Sequence, residues 1–350
     1  LRIVDLRSDT VTKPSPEMWE ALRSLNGSKI GDDVEGEDPT VIELEEKAAR
    51  VIGKDAALFV TSGTQGNLVS LLSQTTPGDE ILLEKLSHIF KNEVGSAARI
   101  GGLMIRTFPS LKGVPSFERL QTFVRDKEDI HEPPTTLISI ENTHNYHGGA
   151  IIHPEIFKNA RDFSNKNNLK LHLDGARIFN AAVGLGVAVT EFTKYVDSVM
   201  FCLSKGLSCP VGSIVAGSKE FITSARRYRK MLGGGMRQAG IIASFGLVAL
   251  ESKWINRLVV DHRNAKLLAE GIKSYNFPIK INKPETNIII VELLKKTRVF
   301  NIVNQLRKEG ILCFNISKEK LRFVTHYGIN EDDIQFSIQK IGKTLSKLLN

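Results

Sequence analysis

Only three of the 350 residues are cysteines: Cys202, Cys209 and Cys313. An odd count without zinc-ligand spacing argues against both a disulfide scaffold and a metal cluster, so no metal is expected and a reducing, cytoplasmic setting fits. Aromatic residues are also scarce, at 7 % with two tryptophans. No motif combines them with basic residues as nucleic-acid binders do, so no nucleic-acid partner is expected. No apolar run approaches the roughly 20 residues that span a bilayer, which leaves no membrane partner either. Internal repeats and low-complexity tracts are absent. Because the sequence begins at Leu1, a preceding targeting segment stays open.

Basic residues outnumber acidic ones, 47 to 39, a net charge of +8. They are scattered, and the one dense cluster, Arg226-Arg-Tyr-Arg-Lys230, reads as a solvated helix face. Such an excess suits an enzyme whose ligands carry phosphate and carboxylate. Hydrophobic content of 41 % and charged content of 25 % are ordinary for a globular enzyme. The length allows one large core and a smaller second one.

The segment Asp5–Thr12, followed by Pro14 and Pro16, reads as an extended arm rather than a core strand. Asp38 and Pro39 open a helix whose apolar face is Val41, Leu44, Ala48 and Val51, and Gly53 ends it. Strands are predicted at 56–60, 80–84, 103–108, 136–141, 169–174, 198–203 and 212–216. Helices are expected between them, including 117–124 and 155–163. This alternation predicts a mostly parallel sheet with helices on both faces. Long helical patterns follow over 220–275. A smaller α+β unit then comprises strands 287–293, 311–316 and 321–325, a helix over 298–309 and a closing helix from Asp332. The expected division is an arm and large domain over 1–251 and a small domain over 252–350.

Three stretches carry chemistry. Lys205 follows the apolar run 198–203 inside a glycine-punctuated turn, and burying its ammonium is costly unless its charge is removed. An imine with an aldehyde cofactor removes that charge. Strand 169–174 delivers Asp174 at its C-terminal end, the edge where open α/β sheets bind ligands. Pyridoxal phosphate needs such a lysine together with an acid for its pyridine nitrogen. It also needs a phosphate cradle, and Thr61-Ser-Gly-Thr-Gln-Gly-Asn67 sets small residues at a helix N-terminus after a strand.

In this order the motifs resemble those of the L-threonine aldolases, pyridoxal-phosphate lyases of the aspartate-aminotransferase fold type (fold type I). The resemblance runs from Asp5 to about Tyr327. It rests on Asp5-Leu-Arg-Ser-Asp-Thr-Val-Thr12, Gly31–Thr40, Ser62-Gly-Thr64, His88-Ile-Phe90, Glu141-Asn-Thr-His-Asn145, Asp174-Gly-Ala-Arg177, Leu203-Ser-Lys-Gly206, Gly235–Gly240 and Arg322–His326. It implies an α/β large domain with a small C-terminal α+β domain, pyridoxal 5′-phosphate as cofactor, and cleavage of a β-hydroxy-α-amino acid to glycine and an aldehyde. Lys205 would capture the cofactor, Asp174 would pair with the ring nitrogen, and Ser62, Gly63 and Thr64 would cradle the phosphate. His88 would stack on the ring. Arg177 would lie near the ring hydroxyl and the substrate carboxylate, which Arg322 clamps with Ser8 nearby. Arg237 would reach the phosphate from a neighbouring subunit of a homotetramer. His88 and His144 are both candidates for the base that takes the β-hydroxyl proton. His147, His153 and His172 have weaker claims, and His172, inside a strand, reads as structural.

Three positions depart from the family pattern. Glu35 stands where tyrosine is usual and is expected to redirect substrate choice. Gly328 replaces an aspartate, and Ser208-Cys209 replace smaller residues after the lysine turn. Alanine racemisation on the same scaffold, or an inactive binding homologue, are the alternative readings.

Overall fold

The computed structural model describes residues 2–294 and 299–349. Its centre is a seven-stranded sheet in the order Ala56–Val60, Ser213–Gly217, Ser198–Cys202, Lys170–Asp174, Thr135–Glu141, Glu80–Glu84 and Met104–Phe108. Only Ser213–Gly217 runs antiparallel to its neighbours; the other pairings are parallel. Ser198–Cys202, Ser213–Gly217 and Glu80–Glu84 are buried at every residue, as strands covered on both faces must be. Successive side chains of a strand point to opposite faces. Accordingly Val199 and Phe201 join one apolar cluster, while Met200 and Cys202 join another. The fold is therefore α/β with a mostly parallel sheet, and the expected strands lie within about one residue of those observed.

Helix Pro39–Ile52 begins and ends as its sequence dictates. Asp38 Oδ1 accepts from Thr40 and Val41 N–H at 3.1 Å, and Gly53 closes the helix at φ 68°. The long pattern over 220–275 resolves into four helices, Lys219–Met231, Gly240–Ala249, Ser252–Asn256 and Leu258–Lys273. Helix Pro16–Arg23, where Ser15 caps and Pro16 takes the first turn, was not foreseen, and Ile178–Leu185 lies between two predicted strands, where a helix was expected without bounds.

A second, four-stranded antiparallel sheet has the order Ile279–Ile281, Ile288–Leu293, Lys320–Val324, Phe314–Asn315. Helices Leu258–Lys273, Val299–Lys308 and Glu331–Leu349 accompany it. Arg298, the expected first residue of the middle one, lies outside the described residues. The N-terminal segment corrects the expectation of a non-core arm. Val4–Asp5 pairs in parallel with Ile311–Leu312, and Val4 and Leu6 are buried in the C-terminal apolar cluster. Leu6 O also accepts from Val324 N–H at 2.9 Å. An isolated pair of apolar residues between charged ones gives no strand signal; the docking surface supplies it.

Candidate functional site

Several sheet strands finish at one edge. Glu84, Glu141 and Asp174 are the last residues of parallel strands, and Lys205 comes three residues after Cys202 ends its own. Asp174 is buried. Its Oδ2 accepts from Asn67 Nδ2 at 3.0 Å and its Oδ1 from Ala176 N–H at 3.2 Å. Asn67 also donates to Glu93 Oε1 at 2.8 Å, and Glu93 Oε1 lies 2.9 Å from His88 Nδ1. Burial opposes a charge on His88, but the Glu93 hydrogen bond and the charge of Asp174 hold its pKa above the ordinary 6.5.

Ser62 caps helix Gly63–Leu72, its Oγ accepting from Gln65 N–H at 3.2 Å. A Cβ on Gly63 would stand 2.9 Å from Cys202 Sγ, and one on Gly66 2.6 Å from Met200 Cγ. The glycines thus let the helix start press onto the strand that leads to Lys205. The Lys205 side chain is half-buried, and its ammonium makes no hydrogen bond or ion pair among the described residues. Its charge nonetheless reaches both Asp9 and His88.

Arg177 is buried and forks onto Asp9, with both bonds at 2.7 Å. Burial would raise the Asp9 pKa, yet this guanidinium holds the carboxyl well below the usual range. Ser8 is buried and caps the short turn Asp9–Val11 by accepting from Thr10 N–H at 3.3 Å. Arg322 has a different environment. Its Nη1 donates to Asn145 Oδ1 at 2.8 Å and its Nη2 to the Arg7 carbonyl at 3.2 Å, while buried Nε has no partner. No carboxylate pairs with Arg322 among the described residues, and burial lowers its pKa to about 10.

His144 is fully buried, with Nε2 3.1 Å from Glu84 Oε2 and Nδ1 unpartnered. His147 Nε2 lies 3.7 Å from Glu84 Oε1, and Ser110 Oγ donates to that oxygen at 2.9 Å. Sequence spacing shows no metal cluster, but the fold draws together the ligand atoms of Glu84, His144 and His147, and of His88, Glu93 and Asp174, each set within 4.8 Å. Glu84 is already satisfied by protein donors, Leu86 N–H included.

A beta-eliminating lyase family model matches residues 5–296. A probable low-specificity L-threonine aldolase of Arabidopsis thaliana is 41 % identical over 96 % of this chain and 95 % of its own. A low specificity L-threonine aldolase of Escherichia coli K12 is 39 % identical over 95 % and 96 %. This chain belongs to the beta-eliminating lyases, among the low-specificity L-threonine aldolases. A threonine aldolase structure from Leishmania major shares the fold at TM-score 0.84, with 17 % identity over 97 % of this chain and 98 % of that one.

Within this aldolase-family chain, two expected residues stand apart. Arg237 is largely exposed and pairs with Asp32 at 2.5 Å; no bond joins it to Ser62, Gly63 or Thr64 among the described residues. Glu35 lies exposed on the turn between Gly31 and Asp38. Conversely, Asp9, Asn67, Glu84 and Glu93 belong to the site although no role was read for them. Asp9 sits within a motif that carries the resemblance and Asn67 ends the cradle stretch Thr61–Asn67, whereas Glu84 and Glu93 give no signal until the strands align.

Proposed function

We propose that this protein cleaves L-threonine or L-allo-threonine to glycine and acetaldehyde with pyridoxal 5′-phosphate. The observation that carries the reading is a pair of cations without anionic partners among the described residues, Lys205 and Arg322, flanking the Asp9–Arg177 ion pair. An amino acid brings a carboxylate for the guanidinium, and the cofactor brings an aldehyde for the lysine. The remaining groups fit the cofactor: a buried carboxylate at Asp174, and free N–H groups at the start of a ten-residue helix set against the lysine strand.

When bound, pyridoxal phosphate supplies a sink for the electron pair left on Cα. Lys205 would hold it by its aldehyde carbon. Asp174 would keep a proton on the pyridine nitrogen, Asn67 and Ala176 N–H holding that carboxylate in place. Ser62, Gly63 and Thr64 would hold the phosphate, and His88 would lie against the ring. Arg322 would orient the substrate through its carboxylate, with Ser8 close by. Arg177 forks onto Asp9 through Nε and Nη2, and its remaining Nη1 would lie near the ring hydroxyl and the substrate carboxylate. A base at His88 or His144 would take the β-hydroxyl proton as the Cα–Cβ bond breaks. Arg237 would act across a subunit boundary in a homotetramer, and Glu35 would bear on substrate choice from the same side. A small domain beginning near residue 252 and a cytoplasmic location complete the proposal.

The test pairs two measurements on the purified protein. Acetaldehyde should appear from L-threonine, and borohydride reduction should fix the cofactor on the peptide containing Lys205. Formation of D-alanine from L-alanine without acetaldehyde release, or an adduct on Lys54 or Lys230 instead, would overturn it.

A further inference from the structure

Two remote donors meet the turn that follows Lys205. Arg257 Nη2 donates to the Gly206 carbonyl at 2.8 Å and Trp254 Nε1 to the Leu207 carbonyl at 2.8 Å, while Thr12 Oγ1, whose one proton has the Asp9 carbonyl at 2.6 Å, lies 2.9 Å from the Lys205 carbonyl. The Lys205 carbonyl is satisfied inside the turn by Ser208 N–H at 2.8 Å, but the Gly206 and Leu207 carbonyls have no ladder to satisfy them, so the two remote donors fix the peptide planes that follow the lysine. The ammonium itself has no hydrogen bond or ion pair among the described residues, so the turn is the hydrogen-bonded anchor of this side chain.

Arg257 is held at both Nη atoms and lies beside two rings, although its buried Nε has no partner. It forks onto buried Asp261 at 2.9 and 3.1 Å, and its guanidinium carbon lies 5.2 Å from the Trp254 ring and 5.1 Å from the Tyr327 ring. The Asp261 carbonyl in turn accepts from Thr325 Oγ1 at 2.6 Å. Thr325 and Tyr327 come directly after Lys320–Val324, the strand that bears Arg322. One guanidinium therefore ties the Arg322 strand to the Lys205 turn.

We infer that Arg257, assisted by Trp254, is a positioning residue that sets the direction and reactivity of the Lys205 amine. This deepens the proposed function and rests on it for its catalytic meaning, but its test does not require turnover. The full-length protein, stripped of cofactor, is treated with limiting acetic anhydride, and acetylation of Lys205 relative to Lys230 is read by peptide mass spectrometry. Arg257→Met should change the Lys205 rate about ten-fold, the scale set by losing a charge-assisted hydrogen bond. Trp254→Phe, which keeps a ring but loses the donor, should shift it in the same direction by less. Arg263→Met, which loses only an exposed pair with Glu331, should leave it unchanged. If Arg257→Met does not fold, Trp254→Phe decides.

Thermal midpoints that fall while Lys205 labelling stays at the parent rate would overturn the inference and leave Arg257 a stabilising residue only. Titration with pyridoxal phosphate is run alongside. A parent protein that takes up none, with labelling still shifted in the variants, would sink the proposed function and leave the positioning role standing.

Discussion

Ser208 occupies a backbone conformation that its side chain disfavours. Its φ is 66°, its N–H donates to the Lys205 carbonyl at 2.8 Å, and its buried Oγ has no partner. A non-glycine residue in the left-handed region costs about 1–2 kcal/mol. Glycine would remove that cost and the orphaned hydroxyl, at the expense of about 0.5–1 kcal/mol of added unfolded-state freedom. Ser208→Gly should therefore stabilise the protein by about 1 kcal/mol, read as a higher midpoint in urea. A lower midpoint would mean that the serine is not strained. The sequence singled out this position as a departure, but the sign of φ was not legible there. Lys205, Asp174 and Arg322 were legible because each sits in a distinctive local motif. The partners of Asp174 and of Arg177 were not, since Asn67 meets Asp174 across 107 positions and Asp9 meets Arg177 across 168.

At the scale of elements, strand and helix order followed from period and punctuation, while docking did not. Helix Pro39–Ile52 illustrates both. Its cap was readable from Asp38-Pro39, but Asp38 Oδ2 also accepts from Gly31 N–H at 3.2 Å and from Gly240 N–H at 2.8 Å. One carboxylate thus starts a helix and fastens a loop and the beginning of Gly240–Ala249 to it. Loss of an ordinary N-cap costs about 1 kcal/mol. Here the buried N–H groups left unpaired add about 1–3 kcal/mol each at most. Asp38→Ala should destabilise by about 3 kcal/mol, and Asp38→Asn by less, because the amide oxygen still accepts. Thermal unfolding of both variants checks this, and a loss of only about 1 kcal/mol in Asp38→Ala would show that the two outer contacts contribute nothing.

Across the whole molecule, one hydrogen-bonded chain runs through the sheet to the site. Gln74 donates to Ser198 Oγ at 2.7 Å, and Ser198 Oγ lies 2.8 Å from His172 Nδ1. His172 Nε2 lies 3.1 Å from Asn67 Oδ1, and Asn67 donates to Asp174 and Glu93. A neutral imidazole satisfies every link: Nδ1 accepts from the serine and Nε2–H donates to the amide. A second proton has nowhere to bond, and burial lowers the His172 pKa from 6.5 to about 4. The sequence marked His172 as structural; the fold makes it the group that orients Asn67.

The sign of the pH dependence follows from that depressed value. Below pH 6.5 the unfolded chain takes up a proton at this histidine that the folded chain refuses, so the contribution is full above pH 6.5 and declines as pH falls toward about 4. At about 1.4 kcal/mol per pKa unit the loss from this group reaches about 3 kcal/mol. His88 and His144 have raised values, so they are protonated in both states over most of this interval and add little slope. His172→Gln, which can still bond but does not titrate, should be less stable than the parent at pH 7 yet lose stability more slowly on acidification. Urea unfolding at about pH 7, 6, 5 and 4, roughly unit steps across the titration, gives the two slopes. Parallel slopes would place the acid sensitivity elsewhere and remove His172 from the account, whereas a flatter variant ties the acid sensitivity of the fold to the neutral imidazole whose Nε2–H keeps Asn67 turned toward Asp174.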